Sequence, residues 1–439
     1  MSLWGMRNIG VVSMVYAKLG RFLGRALRKE RVLRCFMAQI MFGKKPQVLV
    51  VLPAGVGSLG DQAMLQSVAD HLGAKGGWTF RQVLMPGWGC YSVAGSELPC
   101  LRFDLDQVRK GDQALLDEIK KSAAVVAIGA DVIDGIYGTE IVEFQLRLLH
   151  LAAGAGIPAA MLGHSFSEKP APLAVDMLSR LPSEVAVHIR DQISLQRFEA
   201  STRRSATLVA DLAFAVQPDM GHRAYRHAMS WTERCREGGA LILCLNVNGL
   251  TVDKHGGEAG AIDYWSRFLK VLWHDQPKLG VLFVSHDDRP GVSDAALHEK
   301  IIERLQGMHG DQIFSARALN SAAQAKAVAG LADVTLTGRM HLAIGALSMS
   351  VPTFCVEYAG KFQGVARHFG ISDFVFPEKI LQSPEMAADW FVERLPTLSE
   401  RRSKLVKALP RVIELSRRNF DFLESDVVLE ASVQTGYTL

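Results

Sequence analysis

No run of 18 uncharged apolar residues occurs in the 439-residue chain, so no membrane-spanning helix is expected. The apolar stretch 9–16 is short. A strongly basic segment follows it instead of a small-residue cleavage site, so the expected place is cytoplasmic rather than exported. Low-complexity segments and short repeats are also missing. A composition of 49% hydrophobic and 21% charged residues excludes disordered and collagen-like chains. Cysteine is scarce. Cys35, Cys90, Cys100, Cys235, Cys244 and Cys355 form no C-x-x-C pair, so neither a disulfide framework nor a zinc site is expected, and a reducing compartment is.

The body of the chain lacks an excess of positive charge. Residues 1–45 carry ten Lys/Arg and one Glu, a balance of +9, and the remainder balances at −5. A nucleic-acid-binding surface is therefore not expected, and the positive field belongs to one N-terminal segment. There, Leu19, Phe22, Leu23, Ala26, Leu27, Leu33, Phe36, Met37 and Ile40 recur at helical spacing, with Lys18, Arg21, Arg25, Arg28 and Lys29 off the stripe. Such a basic amphipathic helix (18–40) suits the surface of an anionic inner membrane, or packs its stripe on the protein's own body.

What is present is an alternation of β-branched runs and helical patterns. Strands are expected at 48–52, 80–84, 123–128, 159–162, 185–189 and 207–210, with helices at 61–72, 140–155 and 191–199 among them. After a polar, basic stretch at 217–239 the alternation restarts. Strands follow at 241–245, 281–284, 334–336 and 353–356, and helices at 262–273, 295–305, 322–331, 341–347 and 362–369. Residues 384–423 read as helical, packing back across the lobes. Two α/β lobes with parallel sheets, facing a central cleft near the strand carboxyl ends, are the expected fold.

Gly55-Val56-Gly57-Ser58-Leu59-Gly60 follows the first strand and opens a helix, a setting in which backbone N–H groups approach an anion. A dinucleotide site also needs an acidic residue about 20 residues on. Residues 81–86 read Arg-Gln-Val-Leu-Met-Pro, which argues against NAD or FAD. Gly57 and Gly60 therefore belong either to an anion or acceptor loop or to a turn required by packing. Asp61 either meets the helix dipole or accepts a hydroxyl proton. Asp131 and Asp134, after the strand at 123–128, either bind acceptor hydroxyls or shape the turn. Arg190 either pairs locally or reaches the cleft as an anion ligand. Arg339-Met340-His341 places a guanidinium and an imidazole at the start of an apolar helix, a setting for a small, highly charged anion. Lys361 adds charge to the same cleft.

These pieces, in this order, resemble the polysaccharide pyruvyl transferase family. Gly57-Ser58-Leu59-Gly60-Asp61 stands in place of its G-N-x-G-D turn, and Gly129-Ala130-Asp131 in place of a G-G-G turn. Arg190-Asp191-Gln192-Ile193-Ser194 matches R-D-x-x-S, and Asp211 a following aspartate. His286-Asp287-Asp288 is similar to a His/Asp-rich turn. Arg339-Met340-His341-Leu342 and Tyr358-Ala359-Gly360-Lys361 match R-L-H-A and Y-x-x-K.

The resemblance implies a glycosyltransferase-B-like pair of Rossmann-like lobes. It implies an acceptor-side lobe over 46–216, a linker at 217–239, a donor-side lobe over 240–380 and C-terminal helices over 381–439. It also implies transfer of a pyruvyl group from phosphoenolpyruvate to sugar hydroxyls of a cell-surface or exopolysaccharide precursor, which is lipid-linked in one version. No other cofactor and no metal are expected. Arg339, Arg190 and Lys361 would hold the donor's anions. His341 would be acid or phosphate ligand, and Asp61 or Asp131 base. Two other readings stay open. One is a nucleotide-sugar glycosyltransferase of similar fold, with Glu357 on the ribose. The other is a non-catalytic member that binds a phosphorylated metabolite.

Overall fold

The computed structural model describes residues 45–423, except 75–77, 94, 290, 292, 358–361, 372 and 374. The N-terminal segment and Lys361 lie outside the described residues.

Seven strands form the first sheet: β1 (Gln47–Val51), β2 (Thr79–Leu84), β5 (Cys100–Arg102), β6 (Ala124–Ala130), β7 (Ala159–His164), β8 (Ala186–Ile189) and β9 (Thr207–Leu208). Their order is β5-β2-β1-β6-β7-β8-β9, and every pairing is parallel. A two-stranded antiparallel ribbon, β3 (Ser92–Val93) with β4 (Ser96–Glu97), stands apart. The second sheet has five parallel strands: β10 (Ile242–Asn246), β11 (Gly280–Val284), β12 (Ile313–Ala316), β13 (Val334–Thr337) and β14 (Thr353–Cys355), in the order β12-β11-β10-β13-β14. The continuous apolar runs form these strands because both faces of each sheet lie under helices, and β6, β7, β10 and β11 are buried along their whole length.

Each sheet has one point where the strand order reverses, between β1 and β6 and between β10 and β13. Crossover helices leave such a point in opposite directions and open a crevice at the strand carboxyl ends. The chain following β1, β6, β10 and β13 therefore supplies the candidate site.

The lobes are joined by more than that crevice. One apolar cluster mixes Ala63, Ala210 and Phe214 of the first lobe with Met340, Ala343 and Phe362 of the second. Lys326, buried on a second-lobe helix, donates through Nζ to the carbonyls of Val216 (2.5 Å) and Phe214 (3.4 Å). The helix Leu398–Arg417 covers the same seam, burying Leu405 and Val412. Asn419, just beyond it, donates to the Ala210 carbonyl (2.9 Å), and Phe420 stacks on His71 with ring centres 3.9 Å apart. No described helix is long and apolar enough to cross a membrane.

Two sequence expectations need correction. The stretch 217–239 contains the helix Arg223–Glu237, N-capped by His222. Its inward face carries little more than Ala228, Trp231 and Thr232, too few for a visible apolar stripe. Cys90 and Cys100 form a disulfide, with Cα atoms 6.4 Å apart. The β3–β4 ribbon folds the intervening chain back on itself, which the ten-residue spacing does not reveal.

Candidate active site

A cleft of about 730 Å³ opens between the lobes. Asp61, Asp131 and Arg190 line it from the first lobe, and Arg339 and His341 from the second, so five of the sequence-predicted residues converge there. Ser58, Trp88, Tyr137, His286, Asp287 and Arg289 line it as well.

The glycine turn after β1 closes against the other lobe. Leu59 N–H donates to the His286 carbonyl (3.1 Å), and Asp288 N–H to the Gly57 carbonyl (3.1 Å). Ser58 and Asp287 thereby pair as an isolated antiparallel bridge. Gly57 has φ +120°, and a methyl there would run into the Arg289 side chain; a methyl at Gly60 would overlap the His341 ring. Of the two readings of this turn, the packing one describes these contacts. Both glycines allow close approach of the second lobe, and neither lines the cleft.

The cations arrive already paired. Arg339 donates from Nη2 to Asp294 Oδ1 (2.7 Å), from Nε to both Asp294 oxygens and from Nη1 to Asp287 Oδ2 (3.0 Å). Arg190 donates to Asp211 Oδ2 (2.8 Å) and to the Ser165 hydroxyl (3.1 Å). Arg289 sits on Asp287 through Nε (2.9 Å) and is the most exposed of the three, with about a third of its side chain accessible. These carboxylates hold the guanidinium groups in fixed positions on the cleft walls. His341 Nε2 lies 3.6 Å from Asp211 Oδ2, too far for a good hydrogen bond but close enough for strong attraction. Asp134 is elsewhere. It is fully buried, and its carboxylate accepts from the N–H groups of Ile136 (3.1 Å) and Ser167 (2.9 Å), so it fixes the loop after β6. Asp191 caps the helix Gln192–Thr202 through Ser194 N–H (2.8 Å).

The polysaccharide pyruvyl transferase family model matches residues 59–360, most of the chain and every cleft residue from Asp61 to His341. This chain belongs to the polysaccharide pyruvyl transferase family. It is accordingly a transferase. Among curated proteins no relative matches. Among solved structures, the S. aureus MnaA–UDP complex is similar at TM-score 0.60 and 11% identity, covering 88% of this chain and 98% of that one. The UDP-GlcNAc 2-epimerase from Neisseria meningitidis bound to UDP-GlcNAc is similar at TM-score 0.53 and 11% identity (86% and 100% covered). The α,α-trehalose 6-phosphate synthase from Burkholderia multivorans is similar at TM-score 0.51 and 12% identity (89% and 100%). At these identities the likeness speaks for the two-lobe, glycosyltransferase-B-like fold alone.

In this pyruvyl transferase family member, burial pushes the Asp61 carboxyl up to about 6, against the pull of His341 and Arg289. Burial also drives His286 down to about 3, helped by His341 and Arg339, so that its ring is neutral. Asp211 feels the same burial. The nearby His341 and Arg190 and the Ala213 N–H outweigh it and hold the carboxyl well below the usual range. The cleft thus joins a carboxylate of raised basicity, an imidazole backed by the buried, deeply ionised Asp211, and three guanidinium groups held in place. Asp131 accepts from the Tyr137 hydroxyl (2.9 Å) at the mouth.

Sequence reasoning singled out neither Arg289 nor Asp294. Arg289 follows the His286-Asp287-Asp288 turn at the end of β11, so its place after a buried strand was the available signal. Asp294 lies 45 residues from Arg339, and nothing local links them.

Proposed function

We propose that the protein transfers the pyruvyl group of phosphoenolpyruvate to two hydroxyls of a saccharide, forming a ketal and releasing phosphate. The observation that carries this reading is the convergence, in one cleft, of Arg339, Arg289, Arg190 and His341 around a carboxyl whose proton affinity is raised to about 6. Phosphoenolpyruvate carries a carboxylate and a phosphate on three carbons, a charge match for guanidinium groups held in fixed positions on the cleft walls. Asp61 takes the proton of the attacking hydroxyl, being ionised near neutral pH yet more basic than an exposed carboxylate. His341, facing the Asp211 carboxylate, delivers a proton to carbon 3, while the hydroxyl oxygen bonds to carbon 2. The second hydroxyl then bonds to carbon 2 as the carbon–oxygen bond to phosphate breaks, and its proton leaves with solvent or the phosphate.

The reading extends to a cell-surface or exopolysaccharide precursor as acceptor, met at an anionic inner membrane face from the cytoplasmic side. Its support is the +9 balance of residues 1–45, a charge suited to such a surface.

Incubation with phosphoenolpyruvate and cell-envelope saccharides, following phosphate release, tests the proposal. Release should require the saccharide and should fall at least about a hundredfold in Arg339→Lys and in His341→Gln. No response to phosphoenolpyruvate, together with binding of a uridine or guanosine nucleotide, would overturn it.

A further inference from the structure

The cleft walls differ in chemistry. The second-lobe wall carries Arg289, Arg339 and His341 with a single lining carboxylate, Asp287, which pairs with both guanidinium groups. The first-lobe wall carries the carboxylates of Asp61, Asp131 and Glu140, and its one cation among the described residues, Arg190, is ion-paired with buried Asp211. That wall also holds two aromatic side chains, Trp88 and Tyr137, and Tyr137 is 52% exposed.

A partly exposed aromatic ring that lines a concave site offers an apolar face for a ligand to pack on. The Trp88 backbone is moreover held in place: its amide N–H donates to the Met85 carbonyl (3.3 Å), and its carbonyl accepts from Arg102 Nη2 (3.2 Å). The same Arg102 nitrogen contacts Cys90 Sγ (3.1 Å), at the disulfide to Cys100. Tyr137 is oriented by its bond to Asp131.

We infer that Trp88 and Tyr137 form the acceptor platform, and that the sugar lying on it is an uncharged hexopyranose rather than a uronic acid or a phosphosugar. This rests on the first lobe being the acceptor side of the proposed reaction. A pyranose ring has an apolar C–H face, which suits an aromatic ring, and a rim of hydroxyls, which donate to carboxylates. Asp61, Asp131 and Glu140 accept such bonds. They also repel a second carboxylate or phosphate brought into the same half of the cleft. The donor's charges are drawn to the opposite wall, so donor and acceptor sort themselves by charge.

The full chain can be tested with a matched pair of saccharides, a neutral hexose disaccharide and its C6-oxidised uronate. Saturation-transfer NMR reads saccharide binding, and phosphate release reads turnover. The neutral sugar should bind at least about tenfold more tightly than the uronate. Trp88→Ala and Tyr137→Ala should each raise its KM by about tenfold, with the KM for phosphoenolpyruvate unchanged. The thermal midpoint of each variant reports whether it folds, and exposed Tyr137 can be replaced with little structural cost. Equal binding of the uronate, or unaltered saccharide binding in both folded variants, overturns the platform while leaving the pyruvyl transfer reading intact. If phosphoenolpyruvate is not turned over at all, that reading fails. Loss of saturation transfer in the variants would still support the platform, and its retention would sink it.

Discussion

In the proposed mechanism, Asp61 joins stability and catalysis in one carboxyl. In the folded chain it holds its proton to about pH 6, against an ordinary 3.8. Between those values the folded state binds a proton that the unfolded state has released, so stability falls as pH rises through the window, and the cost is complete above it. Asp61→Asn removes the cost. The variant should be more stable than the parent at pH 8 by about 3 kcal/mol, a gain that fades to nothing near pH 4. Urea unfolding at the two pH values checks this, and a gain that does not change with pH would refute it. If Asp61 is the base, kcat/KM of the parent should fall as pH drops through about 6. Ala130 makes the second case at this scale. It holds φ +83° at the end of β6, where the related pattern has glycine. Ala130→Gly should relieve left-handed strain at some cost in chain entropy, for a net gain of about 0.5–1 kcal/mol by denaturant unfolding. An unchanged midpoint would mean that the surroundings already absorb the strain.

At the level of elements, the turn after β1 and the first turn of the helix Leu59–Ala74 work as a joint between lobes. Alanine is the better helix former, so propensity alone favours Gly60→Ala by about 1 kcal/mol. The structure predicts the opposite for function, because the added methyl would overlap the His341 ring. Activity should fall by about a hundredfold as the imidazole is displaced from Asp211 and Asp61. Full activity would show that the ring can move without consequence. Most of the elements were legible because strands buried on both faces appear as unbroken apolar runs, as at 48–52 and 281–284. The missed strands are short edge or ribbon pieces. Cys100–Arg102 and Ile313–Ala316 lie at sheet edges, and Ser92–Val93 and Ser96–Glu97 have two residues each. So little burial leaves no pattern.

At the scale of the molecule, the C-terminal helix Leu398–Arg417 ties the lobes together. Arg401 lies 4.8 Å over the Phe354 ring of the second lobe, while Ser416 and Asn419 donate to the Leu212 and Ala210 carbonyls of the first. Deleting residues from 398 onward uncovers the apolar seam and removes these links. The shortened chain should unfold in two transitions by calorimetry, with turnover abolished, whereas the whole chain unfolds in one. A single transition at the parent's midpoint would show that the strap is dispensable.

The sequence by itself determined the two α/β lobes, the family and the short segments that meet in the cleft, because periodicity and motif order are local along the chain. Only the tertiary structure decided what those segments do to one another. Arg339 acquires Asp287 and Asp294, Arg190 acquires Asp211, and Asp61 acquires its raised proton affinity, each from residues far away in sequence or from burial itself. Charge pairing and desolvation depend on distances in space, and those exist only once the two sheets have closed on each other.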